Sequence, residues 1–198
     1  MIKQVVGFLV VFVIAHTTNA GELKTDSIPV QTSRYYNSFY AGAMVGCGLC
    51  YEGKDFTLSL LTMHGLRVSP GVKLGLGVGM DVYTDWRLFP LVAGVTFDKE
   101  RRRNAMYLSI NGGHAWGRYL LPDTSWWVSD FTGRGGFVFN PMLGYRIGNE
   151  RMRIYVQAGY KHQLAYTKSE NIGAWGGNTF TREYELNRFV FQMGFGFR

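Results

Sequence analysis

The sequence predicts an all-β protein, an antiparallel up-and-down barrel of about eight strands. Apolar residues alternate with small or polar ones along most of the chain, with the period of two that strands require. The composition agrees, because strand-forming and turn-forming residues are abundant, with 26 Gly, 14 Phe, 12 Tyr and 5 Trp. After the N-terminal segment, no apolar run approaches the roughly 18 residues that would indicate a spanning helix.

The N-terminal segment is typical of a secretory signal peptide. Lys3 precedes an almost wholly apolar run over residues 5–15, and small and polar residues then lead to Ala20, after which we expect cleavage. The alternative is an N-terminal membrane anchor, but the run of about a dozen residues is shorter than the roughly 20 that span a bilayer. The remaining chain divides into a leader over residues 21–37 and one barrel domain over residues 38–198.

Alternation is clearest in residues 72–82, where Val72, Leu74 and Leu76 begin one face and Lys73 and Gly75 begin the other. Seven more segments repeat the pattern. The first apolar residues of the eight predicted strands are Phe39, Phe56, Val72, Phe89, Met106, Phe137, Ile154 and Phe189. Most segments have a length close to the roughly 9 to 11 residues with which a tilted strand crosses a bilayer.

The connections between these strands differ at the two ends. Short turns are predicted at one end, over residues 67–71, 98–104 and 148–151. The other end carries short turns over residues 51–54 and 83–87 and long loops over residues 118–134 and 167–184. Short periplasmic turns and longer external loops are typical of outer-membrane barrels, and an even number of strands places both termini in the periplasm.

The face opposite the apolar one decides between a soluble and a transmembrane barrel. It is mostly glycine, with a few long polar residues: Lys73, Asp81, Asn111, Arg146, Gln157, Lys161 and Gln192. A soluble barrel would present more charges to water, and a glycine-rich surface would form poor strands. Inside a narrow barrel, glycine lets the curved walls approach each other. We therefore predict that the apolar face contacts lipid and that the interior is closed.

The interior charges have complementary signs. We predict that Lys73, Arg146 and Lys161 pair with Asp81 and Asp98 inside the barrel, and that no wide channel remains. Aromatic residues concentrate at the end with the long loops, which suggests a girdle at the headgroup level. They are Trp86, Trp116, Trp126, Trp127, Trp175, Tyr51, Tyr83, Tyr119, Tyr166 and Tyr184. The alternative is that loop aromatics pack on one another.

The last strand, RFVFQMGFGFR over residues 188–198, alternates to the end of the chain. Together with the strand rhythm, it resembles the small outer-membrane β-barrels of Gram-negative bacteria, the OmpA/OmpX-like group. The resemblance covers roughly residues 38–198 and implies location in the cell outer membrane. It also implies a barrel-assembly machinery that reads the C-terminal strand during biogenesis. The chain departs from the family pattern because Phe197 is penultimate and Arg198 is last.

Three histidines are candidates for catalysis in a lipid-modifying barrel: His64, His114 and His162. All three are at alternating positions that are predicted to face outward from their strands. None begins the His-x-Ser arrangement found in barrel lipid deacylases. A place in the girdle or rim is the preferred interpretation. We predict no catalytic, cofactor-binding or metal site.

Other clusters have simpler structural explanations. Cys47 and Cys50, if on one strand, would point to opposite faces about 10 Å apart, which excludes a disulfide. Glu183 with Glu185, and Asp81 with Asp85, are interpreted as solvated loop charges rather than metal ligands. The basic run over residues 99–103 is interpreted as a periplasmic turn, and residues 75–79 as a strand rather than a phosphate loop.

The sequence therefore predicts a non-enzymatic outer-membrane barrel that contributes to envelope integrity or surface binding through its long external loops. Its net charge of +7 favours anionic surfaces, and outer-membrane lipid is an expected partner. The dispersed basic residues accompany no nucleic-acid motif, so no nucleic-acid partner is predicted. An outer-membrane lipid-modifying enzyme and a soluble secreted lipocalin-like barrel are the alternatives, and the external ligand is left open.

Overall fold

The computed structural model describes residues 34–47, 54–98, 104–120, 128–148, 152–173 and 176–197. Eight strands form a closed antiparallel barrel in which each strand pairs with the next and β1 pairs with β8. The strands are β1 (Tyr35–Cys47), β2 (Lys54–Ser69), β3 (Val72–Val82), β4 (Trp86–Asp98), β5 (Ala105–Tyr119), β6 (Val128–Gly148), β7 (Met152–Gly173) and β8 (Gly176–Phe197). The prediction of an eight-stranded up-and-down barrel is confirmed.

Some predictions fall on residues outside these ranges. They are the signal peptide, most of the leader, Cys50, Tyr51, Trp126, Trp127, Trp175 and the basic run over residues 99–103. The boundary between leader and barrel stays a prediction, although β1 begins at Tyr35, three residues before the predicted start. Within the described residues, no helix has the length and apolar character needed to cross a membrane.

The two faces of the strands are disposed as predicted. Leu74, Phe191 and Phe195 expose 49%, 52% and 43% of their surface on the outside of the barrel. The alternate residues point inward, and charged side chains such as Asp81 and Arg146 are almost completely buried there. Closure also pairs the backbone groups of β1 with those of β8, so this seam leaves no open sheet edge within the span.

A tight turn joins β2 to β3. Pro70 precedes Gly71, and Gly71 has a φ of +100°, which suits the third position of a type II turn. The carbonyl oxygen of Gly71 accepts a hydrogen bond from the backbone N–H of Asp98 at 2.8 Å. This contact holds the turn against the end of β4, where Asp98 enters the interior.

The two predicted long loops are largely strand. β6 begins at Val128, and β7 and β8 pair continuously out to Gly173 and Gly176. The sequence pattern missed these extensions because alternation is imposed by lipid on one face, whereas a strand surrounded by water needs only its backbone partners. β7 and β8 each have 22 residues, twice the 11 of β3, so the barrel rim is much higher on this side.

A bulge interrupts β6 near the upper end of the apolar belt. The pairing with β7 shifts register between Gly135 and Val138, and Gly135 and Gly136 are both buried. Below the bulge, odd-numbered residues such as Phe137 face outward. Above it, the parity reverses and the side chain of Arg134 is exposed.

Candidate functional site in the lumen and at the rim

The lumen contains two ion clusters. The lower one lies near the short turns, at the end of the barrel where β1 begins and β8 ends. Lys73 donates a hydrogen bond to Asp98 at 2.8 Å. Arg146 binds the same carboxylate through Nε at 3.0 Å and through Nη2 at 3.1 Å. All three side chains are at most 3% exposed. Two cations sharing one buried carboxylate bridge β3, β4 and β6 and close this part of the interior.

The upper cluster centres on Asp81. Lys161 forms a short ion pair with its Oδ2 atom, and Ser59 donates a hydrogen bond to Oδ1 at 2.7 Å. Asp81 is completely buried. The predicted interior pairing of Lys73, Arg146 and Lys161 with Asp81 and Asp98 is therefore present in both clusters.

A chain of neutral hydrogen bonds leads to Asp81 from across the lumen. Tyr107 donates to Gln157 at 2.9 Å, and Gln157 donates to Gln192 at 2.7 Å. Gln192 then donates to Ser59 at 3.2 Å, and Ser59 donates to the Asp81 carboxylate. Because every donor points the same way, each bond polarises the next and the chain stabilises the negative charge at its end.

Inward glycines make room for these side chains. A Cβ atom on Gly144 would overlap the ring of Tyr107, and one on Gly194 would lie 2.6 Å from the ring of Tyr40. Tyr107 and Tyr40 both pack against Tyr155, with ring centroids 5.6 and 5.7 Å apart. The predicted role of the glycine-rich face, space inside a narrow wall, is what these contacts provide.

An aromatic lid covers the upper lumen. Trp86 packs edge-on against Tyr119 and Tyr184, with ring centroids at 5.1 and 5.7 Å. Tyr83 donates a hydrogen bond to Gln163 at 2.7 Å, and its ring lies 5.7 Å below the guanidinium carbon of Arg188. We define the aromatic lid as Tyr83, Trp86, Tyr119 and Tyr184.

This lid corrects the predicted girdle at all four of its positions, since Tyr119 and Tyr184 also pack inward against Trp86 and the core. Trp86 and Tyr83 are each 3% exposed and lie inside the barrel rather than against lipid. Their parity already indicates this, since Trp86 shares its face of β4 with the buried Leu88. Trp116 does belong to a lipid-facing girdle, because it is 58% exposed on the outside of β5.

The space left between the lumen side chains is small. One void beside Ser59, Asn111 and Lys161 has a volume of about 10 Å³, and one beside Tyr36 and Arg153 has the same volume. Each has room for about one water molecule. Together with the buried ion clusters and hydrogen bonds, these voids fit a barrel interior that eight strands just fill with side chains.

The three histidines face outward, as their parity predicts. His64 lies between two hydroxyls, with the Tyr35 oxygen 2.6 Å from Nδ1 and the Thr62 oxygen 3.1 Å from Nε2. His162 contacts the side-chain oxygen of Asn187 at 2.7 Å. His114 packs edge-on against Trp116, with ring centroids 5.8 Å apart. The three are on different strands and form no common cluster.

The remaining candidate charges lie apart from one another. Asp81 is buried in the upper cluster rather than solvated, and Asp85 lies between β3 and β4. Glu183 and Glu185 are exposed on β8, where Glu183 accepts a hydrogen bond from Tyr166 at 3.2 Å. The backbone oxygen of Asp85 accepts from Leu120 at 2.9 Å. Residues 75–79 lie within β3, as predicted. Among the described residues, no three His, Cys, Asp or Glu side chains are grouped as a metal site would need.

Sequence reasoning missed a pair of outward cations at the upper rim, Arg118 and Arg134. Arg118 lies within β5 and Arg134 within β6, although both were assigned to the ends of a loop. Arg118 has the same parity as the lipid-facing Trp116, which is a usable signal. Arg134 could not be placed in this way, because the bulge at Gly135 reverses the parity of β6.

The fold is similar to that of solved bacterial surface and outer-membrane proteins. The chain is similar to Neisserial surface protein A at 14% identity, covering 82% of this chain and 95% of that one with a TM-score of 0.51. It is also similar to the outer membrane protein OprG from Pseudomonas aeruginosa at 12% identity, covering 86% and 98% with a TM-score of 0.58. The fold is that of a small outer-membrane β-barrel. The predicted resemblance is therefore confirmed at the level of the fold.

Sequence comparisons give no closer relationship. No protein-family model matches the chain, and no curated protein matches it. The apolar outer surface and the fold both agree with the predicted location in the cell outer membrane. Because a barrel of this kind hosts many activities, its function has to be argued from its own lumen, rim and extensions.

Proposed function

We propose that the protein is a non-enzymatic outer-membrane barrel that holds a binding surface above the membrane. The observation that carries the proposal is the combination of a filled lumen with three overlong strands. A lumen closed by two ion clusters and the aromatic lid favours an anchor over a pore. We define the platform as the outer parts of β6, β7 and β8, over residues 128–134, 166–173 and 176–185.

The strands of the platform are longer than a strand needs to be to cross the membrane. A strand crosses a bilayer with about 9 to 11 residues, so about ten residues of β7 and β8 extend beyond it, or about 30 Å of strand. β7 and β8 pair without a register shift along their whole length. This continuous pairing gives the platform a defined shape that a flexible loop of the same length would not have.

The surface of the platform suits recognition. Phe180 is 57% exposed, and Thr179 and Arg182 beside it are exposed as well. Aromatic rings are preferred anchors in protein interfaces. Arg182 and Glu183 supply charges of both signs around it, which favours a polar macromolecular partner over lipid.

A truncated barrel tests this proposal. Residues 169–180 are replaced by Asn-Gly, a pair that forms a two-residue hairpin turn between Lys168 and Thr181. We expect the variant to reach the outer membrane and to migrate differently on gels before and after heating, as folded barrels do. In cells that lack the native gene, we expect the full chain to restore surface binding or resistance to large antibiotics. We expect the truncated barrel not to restore these properties.

Two outcomes would contradict the proposal. If the truncated barrel restores every property of the full chain, the role lies in the barrel and concerns envelope integrity alone. If the purified full chain gives a large, steady conductance in planar bilayers, the filled lumen is not its working state. A Phe180→Ser variant of the full chain is the matched control, because it alters the platform surface without shortening the strands.

A second candidate, a lipid-modifying activity, is favoured by one observation. Thr62, His64 and Tyr35 place two hydroxyls against one imidazole on the lipid-facing side. Such a group can move a proton to or from a lipid ester. Lipid mass spectrometry of cells carrying His64→Ala would show a changed lipid composition in this case. His114→Ala is the control, since the ring of His114 packs on Trp116.

A further inference from the structure

We propose that a phosphorylated glycolipid of the outer leaflet binds to the outer face of β4, β5 and β6. Its phosphates lie at Arg118 and Arg134, and an acyl chain lies below Trp116. This inference rests on the outer-membrane location in the proposed function, and it goes beyond that function because it assigns a ligand to the barrel wall. Three features of the rim carry it.

The first feature is the sign of the charge at the upper edge of the apolar belt. On four neighbouring strands, the first charged residue that faces outward above the belt is a cation. These residues are Arg87 on β4, Arg118 on β5, Arg134 on β6 and Lys168 on β7. This height is that of lipid headgroups, where an anionic group is the natural counter-charge.

Arg118 and Arg134 lie close together on the described surface. Arg118 is directly opposite Arg87 in the pairing of β4 and β5. A Cβ atom on Gly117 would lie 3.2 Å from the carbonyl carbon of Arg134, so β5 and β6 are adjacent here. Arg118 and Arg134 are exposed, and neither has an ion-pair partner among the described residues. Like charges on neighbouring strands repel, and an anion between them removes the cost.

The next strand around the rim, β8, carries charges of the other sign. On β8 the first charged outward residues above the belt are Glu185 and Glu183. An apolar groove of about 670 Å³ crosses the outer wall below the rim, and its lining runs from Leu108 on β5 and Pro141 on β6 through Ala158 on β7 to Phe191 on β8 and Ala43 on β1. The β8 edge of this groove lies below carboxylates, whereas its β5 and β6 edge lies below Arg118 and Arg134. Charge complementarity therefore selects the face with the arginines for an anionic lipid.

The second feature is an exposed tryptophan directly below the cations. Trp116 lies two residues before Arg118 on the same face of β5 and is 58% exposed. Indole rings favour the boundary between headgroups and acyl chains. The edge-on contact with His114 at 5.8 Å holds the ring on this face. Going down β5, the order cation, indole and apolar wall follows the order phosphate, glycerol or sugar, and acyl chain in a lipid.

The third feature is a position without a side chain on the lipid-facing wall. Gly112 lies two residues below His114 and pairs with Ala93 of β4. A Cβ atom on Gly112 would come no closer than 3.8 Å to its neighbours. At every other glycine whose surroundings are described, a Cβ atom would come within 3.0 Å of another atom. Neither packing nor a positive φ requires glycine at this position, so the missing side chain serves the outer surface, where it admits an acyl chain.

Binding to the purified, detergent-solubilised barrel tests the site. The probes are a bis-phosphorylated lipid A, its dephosphorylated form, phosphatidylglycerol and inorganic phosphate, with retention measured by native mass spectrometry. We expect lipid A to bind most tightly. Arg118→Gln with Arg134→Gln should weaken it by about tenfold or more, because charge-assisted hydrogen bonds to phosphate are lost. Gly112→Ile should weaken lipid A but leave inorganic phosphate unaffected.

Matched variants identify the face. Arg182→Gln removes an exposed cation from the platform, and Ala43→Ile fills the β1 end of the apolar groove, away from Arg118; both should leave lipid A binding unchanged. The inference is overturned if the double arginine variant binds lipid A as well as the native chain does. It is also overturned if dephosphorylated lipid, phosphatidylglycerol or inorganic phosphate binds equally well, or if Ala43→Ile has the larger effect.

The test separates this inference from the function on which it rests. A barrel that fractionates with the outer membrane but retains no lipid A refutes the site and leaves the platform proposal standing. A protein found in another compartment refutes the proposed function first. Heat-modifiable migration of each variant verifies folding, and all five substituted positions are on the outside or in the outer part of the strands.

Discussion

The two faces of β5 follow different rules. On the outside, Met106 and Trp116 are more than half exposed and need only be compatible with lipid. On the inside, Tyr107 and Asn111 are buried, and the Tyr107 hydroxyl has a specific partner on β7, two strands away. The outer face tolerates many apolar residues, whereas the inner face requires particular side chains. Stability should therefore respond to the two faces in different ways.

The largest effect is expected from the lower ion cluster. Asp98→Ala leaves Lys73 and Arg146 buried without their shared carboxylate, so we expect the free energy of unfolding to fall by about 3–5 kcal/mol. Urea unfolding in detergent micelles, followed by tryptophan fluorescence, measures this change. Asp98→Asn keeps the hydrogen-bond acceptor and should cost less. A fall in the free energy of unfolding below about 1 kcal/mol, which is the value of an exposed ion pair, would mean that water reaches the cluster.

A charge on the outer face should cost somewhat less and depend on depth. Leu76 is 65% exposed in the middle of β3, and Leu76→Arg should lower stability by about 2–4 kcal/mol. Met106 is equally exposed but lies at the start of β5, so Met106→Arg should cost about 0–1 kcal/mol. The same unfolding assay compares the two. Equal costs would contradict a lipid environment around the middle of β3.

The smallest effects on stability are expected at two glycines, one on each face, which allow a direct comparison of the two faces. Gly144→Ala places a methyl group against the ring of Tyr107 in the lumen, and we expect a loss of about 1–3 kcal/mol. Gly112→Ala adds the same group on the open outer face and should instead raise stability by about 0.5–1 kcal/mol. Changes of the same sign at both positions would show that strand propensity, rather than the face, governs these sites.

The strand faces could be predicted from the sequence because lipid imposes one strict condition on every second residue. Residues such as Leu74 and Phe191 satisfy it, and the strand count followed from its recurrence. The ion pairs were predictable for a similar reason, since charges of both signs with inward parity must compensate each other. Lys161 and Asp81 illustrate this, as they pair across the lumen although 80 residues separate them.

The remaining features depend on information that a single strand does not carry. The partner of Tyr107 is Gln157 because the stagger of the strands around the barrel brings them to one height. The exposed position of Arg134 depends on the bulge at Gly135. The extents of β7 and β8 depend on mutual pairing in water, where neither strand shows a periodic pattern on its own. Each of these requires the register between strands, which the sequence pattern leaves open.

The uneven height of the barrel has a consequence for what can reach it. β3 and β4 meet in a short turn after Val82, whereas β7 and β8 continue for about ten residues beyond a membrane span. Long sugar chains of neighbouring glycolipids would cover the low side and leave the high side protruding. A large molecule that approaches from outside would therefore contact the β7–β8 hairpin before the rest of the wall.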